Sequence, residues 1–183
     1  MTAASAVTAQ KVREDRAIYR AMKLLEGRLR EPGQLLNGPE DVRQFLALRL
    51  AREEREVFTA LWLDAQHGLI SADDIFFGTL TQTAVYPREV VRRGLLNNAG
   101  AVIFAHNHPS GNALPSRADL VLTSRLMEAL ALVDIRVHDH FIVAGTRAVS
   151  LAQLGLLGKE DLPEPVASKP ARKPARKAKK TGK

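Results

Sequence analysis

Cysteine is absent from all 183 residues, which excludes a disulfide framework and thiolate metal sites alike. A nucleobase deaminase of the usual zinc type falls with them, because its H-x-E and P-C-x-x-C segments must give the metal thiolate ligands. The chain also lacks any apolar run near the ~18 to 20 residues that a membrane span requires, and its first residues hold no apolar signal-peptide core. A cytoplasmic protein with no membrane partner is the simplest expectation. Acidic residues are missing from one stretch. Residues 169–183 carry eight Lys or Arg, interleaved with Pro and Ala, and repeat the unit PARK at Pro170 and Pro174. The net charge is +7, so removing those eight charges leaves about −1 for everything before the tail. The basicity is therefore a property of the tail. Such a segment cannot bury a core and is expected to be disordered, and its charge would attract nucleic acid without sequence preference.

What remains suits one domain with a substantial core and short appendages. The first ten or so residues are small and polar and predict disorder. From Lys11 to Arg30 the apolar positions Ile18, Met22, Leu25 and Leu29 recur at helical spacing, and Glu31, Pro32 and Gly33 end that helix. Pro39, Glu40 and Asp41 begin a second helix that carries Val42, Phe45 and Leu46 to about Leu50. These two helices either dock on the domain or mediate self-association. Residues 56–64, EVFTALWLD, and 69–76, LISADDIF, are rich in β-branched and aromatic residues and read as a hairpin, with His67 in the turn. GTLTQTA, from Gly78 to Ala84, suggests another short strand or extended loop, and Pro87 begins a helix that buries Val90, Val91 and Leu95.

The chemistry gathers in AVIFAHNHPSGNALPSRAD, residues 101–119. The apolar run Ala101 to Ala105 predicts a buried strand ending on His106 and His108. Side chains two apart on a strand share a face, so both imidazoles project together. Pro109, Ser110 and Gly111 break the strand, and Ser116 opens a helix whose first turn carries Asp119. Two imidazoles and a carboxylate suit zinc, which in catalytic sites takes three protein ligands and leaves a fourth position for water. Ser116 and Asp119 are equally the N-cap and third residue of a capping box, which would need no metal. A non-haem iron site of two histidines and a carboxylate is chemically allowed and ranks below zinc.

His-x-His, seven residues, Ser, two residues and Asp is the spacing of the JAMM signature of JAB/MPN-type zinc metallopeptidases. HNHPSG followed by PSRAD is close to its RadC form. The segment from about Glu56 to Leu157 thus resembles RadC-like JAB/MPN domain proteins. That resemblance implies an α/β fold, a mixed β-sheet flanked by helices and related in shape to cytidine deaminases. It implies that His106, His108 and Asp119 hold Zn2+, that Ser116 orients the water or the developing oxyanion, and that an upstream glutamate is the general base. Glu56, opening the strand in REVF, is the residue chosen for that role, with Glu53 and Glu54 nearby and Glu89 a further carboxylate. Glu89 lies in a first helical turn and reads better as a dipole partner. RadC proteins often carry an amino-terminal helix-hairpin-helix region, and its glycine-rich hairpin is not found here.

After Asp119, Leu122, Leu126, Ala129, Leu130 and Val133 form one helical stripe. IRVHDHFIV, residues 135–143, alternates, with Ile135, Val137, Phe141 and Val143 on one face and Arg136, His138, His140 and Ile142 on the other. The HDH string has no further ligand at a matching spacing, so its histidines are expected to be hydrogen-bonded residues of a partly exposed strand. One of them could stand behind the zinc site and orient a ligand. The divisions are then a helical segment over 1–50, the RadC-like JAB/MPN domain over 51–157 and the basic tail over 158–183.

The leading expectation is a zinc-dependent hydrolase of the JAMM metallopeptidase type, cleaving a peptide or isopeptide bond of a protein substrate by metal-activated water. The alternative is a DNA-associated, DNA-repair-type protein with a structural or vestigial metal site, delivered to nucleic acid by its tail. A metal-dependent nuclease would join both features. It ranks last, because such enzymes often use paired metals and clustered carboxylates.

Overall fold

The computed structural model describes residues 3–30, 39–78 and 85–162. The threonine-rich segment after Gly78 and residues 163–183 of the basic tail lie outside the described residues. Helix α1 spans Ala3–Arg30 and α2 Pro39–Leu50. The hairpin β1 (Val57–Leu63) and β2 (Leu69–Phe77) follows, then α3 (Pro87–Leu96), β3 (Ala101–Asn107), α4 (Arg117–Ala131), β4 (Arg136–Ala144) and β5 (Arg147–Ser150). The five strands form one mixed sheet in the order β2-β1-β3-β4-β5. Only β3 and β4 run parallel, joined through α4; the other neighbours are antiparallel.

The sheet is covered on both faces, which explains why β1 is apolar at almost every position rather than at alternate ones. Val57, Leu61 and Leu63 pack with Ile103, Ala105, Phe141 and Val143 beneath α2. Phe58, Ala60 and Trp62 pack on the opposite face with Phe104, Leu126 and Leu130 beneath α3 and α4. Between the two outcomes left open for α2, docking is the observed one: Val42, Phe45, Leu46 and Leu50 are buried in the first of these clusters. Arg49 of α2 reaches the sheet edge and pairs with Asp74 at 3.0 Å. Helix α1 begins at Ala3, eight residues before the expected start, because its first turns are rich in alanine, the best helix former. Its Ile18, Met22 and Leu25 are the half-buried stripe that the spacing predicts.

Three packing details depart from expectation. Helix α3 buries Val90 and Gly94, whereas Leu95 is exposed. The helix lies so close to the sheet that a Cβ on Gly94 would come within 2.7 Å of Ile135, so the buried face is centred on the glycine. In α4 the buried face is Leu120, Thr123, Ser124, Leu126 and Leu130, one step round from the predicted stripe. In β4 the simple alternation fails. The pairing steps from Val102↔Val137 to Ile103↔Asp139, leaving His138 as an extra residue in a bulge. Ile135 therefore faces α4 while Phe141 faces α2, although their numbers have the same parity. From Asp139 to Ala144 the strand is buried throughout, since β5 covers its outer edge there. Strand β5 has no counterpart among the expected elements, but Leu151 and Leu156 just after it pack on Leu120 and Ile142 as an end to the fold. Among the described residues no helix is long and apolar enough to cross a membrane.

Candidate metal centre

Strand pairing delivers the first two side chains. Residues 102, 104 and 106 of β3 face α4, so His106 is buried beneath that helix beside Phe58. The His108 N–H donates to the Val143 carbonyl at 2.8 Å, which extends the β3–β4 ladder past the strand end and returns its imidazole to the same face. A loop turning at Gly111, where φ is +79°, then leads to Ser116 at the amino terminus of α4.

There the capping box is fully formed. The Asp119 N–H donates to Ser116 Oγ at 3.2 Å, and Ser116 N–H and Oγ–H both donate to Asp119 Oδ2 at 2.7 Å. Such a cap is worth about 1 kcal/mol. It does not compete with metal binding, because it engages Oδ2 and leaves Oδ1 3.2 Å from His106 Nε2. The cap is what aims the carboxylate. Burial pushes the Asp119 carboxyl up, but the neighbouring His106 imidazole, with the hydrogen bonds of Ser116, outweighs it and holds the group well below its ordinary value.

The three candidate ligands converge. His106 Nε2 lies 2.9 Å from His108 Nε2 and 3.2 Å from Asp119 Oδ1, and one ligand atom from each of the three residues lies within 4.8 Å of the others. A tetrahedral zinc holding nitrogen and oxygen at about 2.0–2.1 Å sets its ligand atoms roughly 3.3 Å apart, so the triangle has the right size. His108 Nδ1 lies 2.7 Å from the Asn112 carbonyl, an acceptor only, so Nδ1 carries the proton and Nε2 presents its lone pair inward. Among the described residues this is the one group of three or more such side chains able to hold a metal ion.

The family model described as RadC-like JAB domain matches residues 36–156. The chain belongs to that family. A UPF0758 protein of Polaromonas sp. (strain JS666) is 56% identical over 137 residues, covering 75% of this chain and 61% of the relative. One from Dechloromonas aromatica (strain RCB) is 62% identical over 120 residues, covering 65% and 53%. The UPF0758 protein YeeS of Escherichia coli (strain K12) is 49% identical over 140 residues, covering 76% and 95%. The chain thus spans little more than half the length of the first two relatives and almost all of the third.

In this RadC-like domain the remaining predicted residues stand apart from the triangle. Glu56 immediately precedes β1, and its carbonyl accepts from Gly78 N–H at 2.7 Å. Phe58 pairs with His106, so continuing the register by two residues sets Glu56 opposite His108 on the same face. Its half-buried carboxylate forms no hydrogen bond or ion pair with another described residue. Glu53 and Glu54 are exposed and line a cavity of 470 Å³ together with Asn107, His108 and Pro109. Glu89 is engaged with Arg92 at 3.3 Å in the first turns of α3, as a dipole partner would be.

Sequence reasoning passed over two features. Asn107 sits between the histidines and points to the other face, where it holds the segment before β1. Its amide donates to the carbonyls of Glu53 at 3.1 Å and Arg55 at 2.9 Å, and its Oδ1 accepts from Val57 N–H at 2.7 Å. Thr123 is the other, one helical turn beyond Asp119, where its hydroxyl donates to the Asp119 carbonyl at 2.6 Å. It also lies 2.6 Å from His140 Nδ1, and His140 Nε2 lies 2.8 Å from His106 Nδ1. His140 is completely buried, not partly exposed. Burial and the neighbouring His106 push its pKa well below the ordinary value, Asp119 pulls it back up, and His108 lowers it further.

Proposed function

We propose that this RadC-like domain is a zinc-dependent hydrolase of the metallopeptidase type, acting on a peptide or isopeptide bond. The observation that carries the proposal is the convergence of His106, His108 and Asp119 with the His108 proton committed outward and the carboxylate aimed by its own helix cap. An all-nitrogen-and-oxygen set of three suits zinc and leaves room for a fourth ligand. When bound, zinc acts as a Lewis acid that brings the pKa of water toward neutrality.

The residues of the chain do the rest. Glu56 accepts the proton of the attacking water and passes it to the leaving amine, a role that suits a free carboxylate on the ligand-bearing face. Ser116 holds Asp119 in its ligating orientation, and its hydroxyl reaches an oxyanion only once its proton leaves Oδ2.

The test is Glu56→Gln beside wild type, scored for zinc by elemental analysis and for cleavage of a peptide and isopeptide library. Retained zinc with turnover reduced at least ~100-fold is expected for loss of a general base. Unchanged turnover would assign the base elsewhere. The basic residues of 169–183 support a separate role in polyanion binding by charge. Truncation after residue 168 should remove salt-dependent DNA binding and leave hydrolysis intact.

A further inference from the structure

We propose that Thr123 and His140 are positioning residues that set the tautomer of His106 and so keep its Nε2 lone pair available to the metal. The inference rests on the metal-centre proposal above and extends it to residues that touch no ligand position themselves.

The argument is one of proton direction. The Thr123 hydroxyl has a single hydrogen, and the Asp119 carbonyl 2.6 Å away can only accept it. Thr123 Oγ1 must then accept from His140, so His140 Nδ1 carries a proton. His140 has no exposed surface and packs edge-on against the Phe58 and Phe104 rings at 5.5 and 6.0 Å, an environment that keeps the ring neutral. A neutral ring protonated at Nδ1 has a bare Nε2. That bare nitrogen lies 2.8 Å from His106 Nδ1 and accepts from it. His106 is thereby protonated at Nδ1, and Nε2 is left as a lone pair facing His108 Nε2 and Asp119 Oδ1.

The chain of bonds runs one way, from His106 through His140 and Thr123 to the Asp119 carbonyl, and leaves the far nitrogen of His106 without a proton, 3.2 Å from the Asp119 carboxylate. An imidazole free in water prefers the opposite tautomer, with its proton on the nitrogen that must coordinate here. Each ring nitrogen's state is set by the bond the other nitrogen makes. A threonine on α4 thus determines where a proton sits on β3, through a strand that touches both. His108 reaches the same state independently, through the Asn112 carbonyl.

Removing the hydroxyl should reverse the relay. In Thr123→Val, which keeps the shape, His140 Nδ1 loses its acceptor and is better left bare. His140 then donates from Nε2, and His106 takes its proton on Nε2. The experiment reads 15N shifts of the histidine rings in metal-free protein at about pH 8.5, above the ordinary imidazole range. A bare Nε2 and protonated Nδ1 on His106 are expected in wild type and in Thr123→Ser, and the reverse in Thr123→Val. Zinc affinity should fall about 10- to 100-fold in Thr123→Val and recover in Thr123→Ser. A wild-type His106 protonated at Nε2, or a Thr123→Val protein with wild-type ring shifts and zinc affinity, would overturn the proposal. If wild type itself bound no zinc, the metal-centre proposal would fall alone, because the ring shifts of the metal-free protein still judge the relay.

Discussion

Strand β4 contributes one ring to each of two edge-to-face histidine pairs. His140 meets His106 with centroids 4.9 Å apart, and His138 meets His67 at 4.4 Å. In the first pair both His140 nitrogens and both His106 nitrogens have polar neighbours. In the second, Nε2 of both His67 and His138 is buried with no hydrogen-bond partner. Two residues of separation on one strand divide a connected centre from an isolated contact. The difference teaches that a histidine pair gains chemistry from what stands at its far nitrogens. His140 leads to a hydroxyl, a carboxylate and a third imidazole, whereas His67 belongs to a turn held by Asp64 Oδ1, which accepts from Gln66 and Gly68 N–H.

The sharpest way to break this comparison is metal content. His106→Ala and Asp119→Ala should each take bound zinc from about one per chain to none. His138→Ala should leave it unchanged, by elemental analysis of the purified proteins. Zinc retained by His106→Ala, or lost from His138→Ala, would exchange the roles of the two pairs. A smaller effect falls on Asp139, which lies between the two β4 histidines. Its carboxylate accepts from His140 N–H at 2.7 Å, from Ala152 N–H at 2.9 Å and from the Ser150 hydroxyl, and burial pushes its pKa up against these bonds. Asp139→Ala strands two backbone donors and should cost about 1–3 kcal/mol in urea denaturation. A cost near zero would mean that the turn after β5 does not hold β4 in place.

The smallest effect is a pH dependence in the isolated pair. Burial, His67 and Arg136 all push the His138 pKa below its ordinary 6.5. As pH falls below 6.5 the unfolded chain takes up this proton before the folded one does. Stability supplied by the neutral ring is therefore present above that value and is lost as pH falls toward the folded pKa. His138→Gln should flatten the decline in denaturation midpoint between about pH 7.5 and 5.5. An unchanged slope would mean that His138 is no less basic folded than unfolded.

How much of this was legible in the sequence depended on range. His106, His108, Ser116 and Asp119 lie within fourteen residues, so strand period and helix capping were enough to bring them to one face. The hairpin, the start of α2 and the strand carrying His106 were legible for the same reason. His140 was not, since its burial depends on β4 lying between β3 and β5, and β5 is only four residues long. Thr123 was passed over because an amphipathic stripe is counted in apolar residues, and a buried hydroxyl with two partners looks like a solvated one. Leu95 erred in the other direction. Apolar and correctly spaced, it is exposed because Gly94 lets the helix settle on a different face.

The bulge at His138 bears on how the strand tolerates change in length. Before it, Ile135 and Val137 look toward α4, and after it His140 and Ile142 do so. The surplus residue lets two segments of opposite parity share one face. Losing His138 would merge them into a regular strand with His140 still aimed at His106. Losing Phe141 would turn one segment over. The strand carries a built-in spare, and the place where a residue can be lost without disturbing the centre is the one that holds the isolated histidine.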